Sequence, residues 1–265
     1  MKFSFLTYQF CRFGLKHSFK MAQEYGFEGV EVWGGRPHAY AHDMGREEIQ
    51  AILGWKKQYG VEISMFTPEI LAYPYSLTSS MEKERRETIE YLLKSVETAA
   101  RLGTDKMQIT AKHPGYGVKR ETVWGYREEG TSILCRRAGE LGVDIILESL
   151  SPSEGNTITC VDDILELQER VNSPALCAMI DMVPPFIANE PYSDYLERLG
   201  TSMKYVHICN GDGTTEFHMQ LDDRNGVIPV ADFFRILKRY GYDGWCSLEL
   251  LNPYFRDPEL YLSEA

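Results

Sequence analysis

Residues 140–149 read ELGVDIILES. A helical pattern closes on Leu141 and Gly142, then gives way to a short apolar run ending in a carboxylate, Glu148. Glycine at such a point supplies the left-handed residue that closes many helices. An apolar run without alternation is what a strand buried on both faces requires, and such strands belong to parallel sheets. The same phrase recurs as EYGFEGVEVWG (24–34), QYGVEISMFT (58–67), RLGTDKMQIT (101–110), RLGTSMKYVHI (198–208) and RYGYDGWCSLEL (239–250). Its glycines are Gly26, Gly60, Gly103, Gly142, Gly200 and Gly241. KFSFLT (2–7) and LCAMID (176–181), the latter preceded by a turn at Asn172 to Pro174, bring the expected strands to eight.

Amphipathic stretches such as 79–103 and 229–241 lie between the strands. Eight β-α units in a chain of 265 residues match a (β/α)8 TIM barrel, one α/β domain over residues 1–265. The competing arrangement is a doubly wound open sheet. It usually has fewer strands, and no GxGxxG follows the first strand. No linker or low-complexity tract interrupts the rhythm. The long irregular segments all follow strands: 33–45, 67–80, 110–122, 149–160 and 209–228. In a barrel these gather at the C-terminal face, where active sites lie.

Composition narrows the function. Apolar residues are 43% and charged residues 25%, the range of a globular protein. The 28 Lys and Arg against 39 Asp and Glu leave a net charge of −11, which argues against a nucleic-acid partner. No apolar stretch is long enough for a membrane span, and Gln9 and Arg12 break any signal-peptide core. The six cysteines are scattered without a CxxC pair, as expected of reduced thiols in a cytoplasmic protein.

The strand ends carry the chemistry. Strands five to eight end at Glu148, Asp181, His207 and Glu249. Glu148, His207 and Glu249 follow their glycines by six, seven and eight residues, so they reach similar heights in the barrel. Three carboxylates converging on one mouth repel one another unless a cation joins them. A divalent metal held by Glu148, Asp181, His207 and Glu249 resolves this. Oxygen-rich donors with one imidazole favour Mn²⁺, and Co²⁺, Ni²⁺, Mg²⁺ and Zn²⁺ are compatible with the same set.

At these residues the chain resembles the xylose-isomerase-like TIM barrels, a superfamily of sugar isomerases and epimerases. The order Glu, Asp, His, Glu is its metal set, and the intervals of 33, 26 and 42 residues are similar to those of ketose 3-epimerases. Segments 31–41, 146–156, 178–186 and 207–213, with TPE and YPY after strand three, most resemble the fructoselysine 3-epimerase group. Epimerases of the tagatose and psicose type carry a His and an Arg where this chain has Pro184 and Gly213, which points away from free ketohexoses. Endonuclease IV shares the fold, but Pro184 stands where it has a further metal-binding His.

The resemblance implies a metal-dependent isomerase that inverts carbon 3 of a fructoselysine or psicoselysine type ketose through a cis-enediolate. Glu148 and Glu249 would act as the two acid/base carboxylates, one on each face of the substrate. His113, Glu154, Arg36 and His38 are expected substrate contacts, with Trp33, Tyr73, Tyr75 and Trp124 as candidate stacking residues. His17, His42 and His218 are expected to be surface or core residues. The expected partner is a small sugar, and the resemblance is compatible with a homo-oligomer. Two other readings stand beside this one. One is an aldose–ketose isomerase, or an epimerase acting on another sugar, inositol or sugar phosphate with the same metal site. The other is a barrel that only binds a sugar, which the presence of both glutamates disfavours.

Overall fold

A computed structural model describes residues 1–251 and 256–263. Eight parallel strands close into a barrel in chain order. They are β1 (Lys2–Leu6), β2 (Gly29–Gly34), β3 (Glu62–Pro68), β4 (Lys106–Ile109), β5 (Asp144–Leu147), β6 (Leu176–Asp181), β7 (Met203–Ile208) and β8 (Trp245–Leu248). Outside them run α1 (Leu15–Tyr25), α2 (Arg46–Tyr59), α3 (Glu82–Leu102), α4 (Arg120–Leu141), α5 (Val161–Val171), α6 (Val183–Ile187), α7 (Tyr192–Leu199) and α8 (Val230–Arg239). Closure through the β1–β8 pairing, Lys2 to Trp245 and onward, excludes the open sheet. Of the expected closing helix, α9 (Pro258–Leu262) is present, while 252–255 and 264–265 lie outside the described residues.

The repeat glycines are the hinges of this architecture. All six have positive φ, from +53° at Gly200 to +79° at Gly26. Before β6 the same task falls to Asn172, left-handed at φ +46°. Asn reaches that region more readily than other side chains, so the chain turns from α5 back to the barrel without a glycine.

Packing separates two layers. The main core lies between strands and helices and includes Phe5, Phe19, Val32, Leu92 and Leu147. Inside the barrel, Met65, Ile146, Cys177, Met179 and Tyr205 form a smaller cluster. A hydrogen-bonded polar column stands beside it. Ser64 Oγ lies 3.0 Å from Ser4 Oγ and 2.7 Å from the Tyr205 hydroxyl. That hydroxyl donates to Glu31 Oε2 at 3.1 Å, and Glu31 meets His207 above it. No helix among the described residues is long and apolar enough to cross a membrane.

Candidate active site

Strand register brings the four residues together. Asp181 and His207 are Cα partners across β6 and β7. Glu148 and Glu249 each sit one residue past their strand. Their backbone N–H groups still donate to Ile109 and Ile208, both at 3.1 Å. All four are nine-tenths or more buried, and their candidate ligand atoms lie within 4.8 Å of one another.

Each ligand is held by a partner that leaves one atom facing inward. Asp181 Oδ1 accepts from the Val183 amide at 2.6 Å, so its Oδ2 is free. Glu148 Oε2 accepts from Gln108 Nε2 at 2.6 Å. His207 Nε2 lies 3.0 Å from both oxygens of Glu31 and donates to them, which leaves Nδ1 as the ligand nitrogen. Glu31 also accepts from Thr67 Oγ1 at 2.5 Å and from Tyr205. His207 Nδ1 lies 2.8 Å from Glu249 Oε2 and 3.2 Å from Glu148 Oε1. Yet among the described residues Asp181 Oδ2, His207 Nδ1 and Glu249 Oε2 are buried without a hydrogen bond of acceptable geometry. Three inward lone-pair atoms crowded together and unpaired are what a cation requires, so this buried Glu/Asp/His group could hold a metal ion.

The electrostatics express the same demand. Burial pushes the Glu148 carboxyl up to about 8, against the lowering effect of His207. Burial raises Asp181 too. Glu249 is equally desolvated, but His207 and His218 outweigh this and hold it well below the ordinary value. Burial alone would lower His207; Glu249 and Glu31 prevail and raise it well above. These are the shifts of buried charges that lack compensation, which a bound cation would relieve.

Glu148, Asp181 and Glu249 line a cavity of about 230 Å³, with His207 buried behind them; Trp33, Gln108, Thr110, Glu154, Glu216 and His218 line it as well. Glu154 lies in the loop after β5. Burial and the neighbouring Glu216 push its carboxyl up to about 9. Its loop is seated by Gly155, where a Cβ would come within 2.4 Å of the Ala111 carbonyl oxygen. His113 is not part of this lining; its Nδ1 accepts from the Gly115 amide at 2.9 Å, and its Nε2 is buried with no partner among the described residues. Among the stacking candidates, Trp33 lines the cavity and donates to Glu69 at 2.8 Å.

The other expected contacts are built into the fold instead. Arg36 is exposed and makes a two-point contact with Asp43 at 2.6 and 2.8 Å, its guanidinium lying over Tyr40. His38 is buried with Nδ1 3.1 Å from Thr7 Oγ1 and Nε2 3.1 Å from the Phe10 and Phe13 carbonyl oxygens. Neither lines the cavity. Tyr75 stacks on Tyr91 at 4.1 Å, the Tyr73 hydroxyl accepts from the Arg36 amide, and Trp124 is fully buried in α4.

His38 gives a pH signature of its structural role. Desolvation lowers its imidazole to about 4. In the unfolded chain it titrates near its ordinary value of about 6.5. The unfolded state therefore binds the extra proton between those values, and stability falls as the pH drops from about 6.5 to about 4. Urea midpoints across this range should fall more steeply for the wild type than for His38→Gln. Parallel curves would remove His38 as the cause.

Sequence reasoning missed four residues at the site. Glu31 is a carboxylate inside an otherwise apolar strand, and the argument applied to strands five to eight could have found it. Gln108 is uncharged and gives no such signal. Glu216 and His218 sit in an irregular loop without periodicity. His218 is buried as one of its two expected placements had it, but at the cavity wall: Nδ1 lies 3.2 Å from Glu249 Oε2 and Nε2 lies 3.8 Å from Asp181 Oδ2.

Comparison with known proteins places the chain among relatives. The family described as "Xylose isomerase-like TIM barrel" matches residues 19–265. Fructoselysine 3-epimerase of Escherichia coli O157:H7 is 34% identical over 265 residues, covering 100% of this chain and 96% of that protein. The crystal structure of a D-tagatose 3-epimerase-like protein superposes with a TM-score of 0.85 at 20% identity, covering 100% of this chain and 95% of the other. That of 3-keto-D-glucoside 4-epimerase from E. coli superposes with a TM-score of 0.81 at 15% identity, covering 100% of both chains. At these identities the two structures speak for the fold.

Proposed function

Since the chain belongs to the xylose isomerase-like TIM barrel family and is a carbohydrate epimerase of the isomerase class, we propose that it inverts carbon 3 of a ketose derivative of the fructoselysine and psicoselysine type. The observation that carries this reading is the pair Glu148 and Glu249. Their carboxylates flank one imidazole nitrogen, at 3.2 and 2.8 Å, on the floor of the cavity. The substrate class rests on the fructoselysine 3-epimerase similarity, which spans the whole chain.

Inversion needs a proton removed from one face of carbon 3 and another delivered to the opposite face. Glu148 and Glu249 stand on strands three steps apart around the ring and take these two roles. Gln108 fixes Glu148 by its donor at 2.6 Å. Glu31 fixes the His207 ring so that Nδ1 faces Glu148 and Glu249. A divalent ion on Glu148, Asp181, His207 and Glu249, Mn²⁺ by donor type, would supply Lewis acidity towards the carbonyl at carbon 2. Glu154, which lines the cavity, contacts the substrate outside the reacting centre. Trp33 and Leu150 give the cavity an apolar wall and limit water around the carboxylates.

The test is proton exchange. Protein stripped of metal and reloaded with Mn²⁺, Co²⁺ or Ni²⁺ is given fructoselysine in deuterium oxide, with fructose, psicose and tagatose as comparators. Deuterium should enter at carbon 3 only when metal is loaded, with psicoselysine formed and fructoselysine preferred. No exchange in any ketose with metal demonstrably bound would overturn the assignment.

A further inference from the structure

Among the described residues, buried polar atoms without a partner gather chiefly in two places. One is the quartet and its surroundings, where acceptors predominate. The other is the inner face of α4, where Arg127 and Trp124 supply donors. Arg127 is 1% exposed, and no other lysine or arginine among the described residues is as deeply buried. Its Nη1 donates to the Thr110 carbonyl oxygen at 2.7 Å, just past the end of β4. That bond orients the guanidinium. Its Nε and Nη2 find no acceptor among the described residues. These two atoms form one edge of the fork, the edge that grips a single acceptor with two parallel N–H groups. Trp124 stands about one turn before Arg127 and Thr131 about one turn after it, so the three share a helix face. Trp124 is fully buried and its Nε1, a donor only, is likewise unpaired. The Thr131 hydroxyl is buried without a partner too.

Charge sharpens the demand. Arg36, Arg120, Arg137, Arg170 and Arg198 each meet a carboxylate. Arg127 meets none among the described residues, and burial pulls its guanidinium down to about 10, with Cys135 acting against it. A water molecule at the fork would complete hydrogen bonds and leave the charge uncompensated. An anion does both.

We propose that Arg127 Nε and Nη2, together with Trp124 Nε1, hold a buried monovalent anion of the halide class, chloride being the common one. The Thr131 hydroxyl stands on the same helix face to donate as well. A bare ion is the ligand that such enclosed side chains can take; a phosphate or a carboxylate-bearing metabolite would have to part α4 from the barrel. The ion lies behind the cavity and not in it: neither Arg127 nor Trp124 lines the cavity, whereas Thr110 does. Its role is structural. It neutralises the guanidinium that ties α4 to the end of β4, two residues past Gln108, which donates to Glu148. The site stands whether or not the cavity takes a ketose.

Bromide is the probe, because its anomalous scattering locates it. Crystals of the Mn²⁺-loaded protein grown in sodium bromide should show a buried peak within hydrogen-bond reach of Arg127 Nε, Arg127 Nη2 and Trp124 Nε1. In solution, protein dialysed into sodium gluconate, an anion too large for the site, is titrated with sodium bromide at constant ionic strength. The unfolding midpoint should rise by about 5 °C or more at a hundredfold excess over the dissociation constant. Arg127→Met removes the charge, and Trp124→Phe removes one N–H while keeping an aromatic ring. Each variant should flatten the titration and lose the peak, and either one suffices if the other fails to fold. Water alone at the fork in the bromide crystals, with a flat wild-type titration, would overturn the proposal. So would a rise in midpoint that persists undiminished in the variants, because bromide would then act elsewhere, the metal included.

Discussion

Glu148→Gln should lower exchange at carbon 3 by about a thousandfold or more, within the range that acid/base groups contribute. Two losses combine in this variant. The amide cannot take up or deliver the proton, and it presents a weaker donor to a cation. The shape is kept, and the amide oxygen can still accept from Gln108, whose Nε2 lies 2.6 Å from the native carboxylate. The fold should be unharmed, because a desolvated carboxylate facing Asp181 and Glu249 is replaced by a neutral group. Measuring exchange at saturating metal, with metal content verified, separates the two losses. Activity within tenfold of the wild type would remove Glu148 from the chemistry.

Glu31→Gln should be the next most damaging change, although Glu31 faces no part of the cavity. Three donors converge on its carboxylate: Thr67 Oγ1, the Tyr205 hydroxyl and His207 Nε2. An amide offers one acceptor where the native group offers two, and sets an N–H against at least one of these donors. Leaving a buried donor unmatched costs about 1–3 kcal/mol, visible as a lower urea midpoint. The ring of His207 also loses the partner that fixes its tautomer. Metal affinity, measured by competition with a chelator, should fall by about 10- to 100-fold. Unchanged affinity would show that packing alone orients the ring.

The barrel was legible because its turns are chemically enforced. A helix that must hand over to a buried strand within a few residues needs a left-handed closing residue, and glycine marks that need six times. Strand β6 lacked the mark, yet Asn172 occupies the same conformation, so side-chain identity changed while backbone geometry did not. The quartet was legible for a related reason: charged groups at the ends of apolar strands require an explanation. Loop residues carry no such constraint. His38 and Glu154 look alike in sequence, each a polar residue in a long loop after a strand. One is absorbed by Thr7 and two backbone carbonyls, the other lines the cavity. Only the path of the loop distinguishes them, and that path depends on contacts far away in the chain, such as Gly155 against Ala111.

The column of hydroxyls below Glu31 bears on how this barrel can be engineered. Filling barrel interiors with aliphatic side chains is an ordinary route to heat resistance. Here Ser4, Ser64 and Tyr205 connect the floor to His207 through Glu31 without a break. A sturdier floor made of valine and leucine would cut that connection, so thermal hardening and turnover would be selected against each other in the same few side chains. A directed-evolution campaign on this scaffold should leave β1, β3 and β7 alone on their inner faces and seek its robustness in the helical shell.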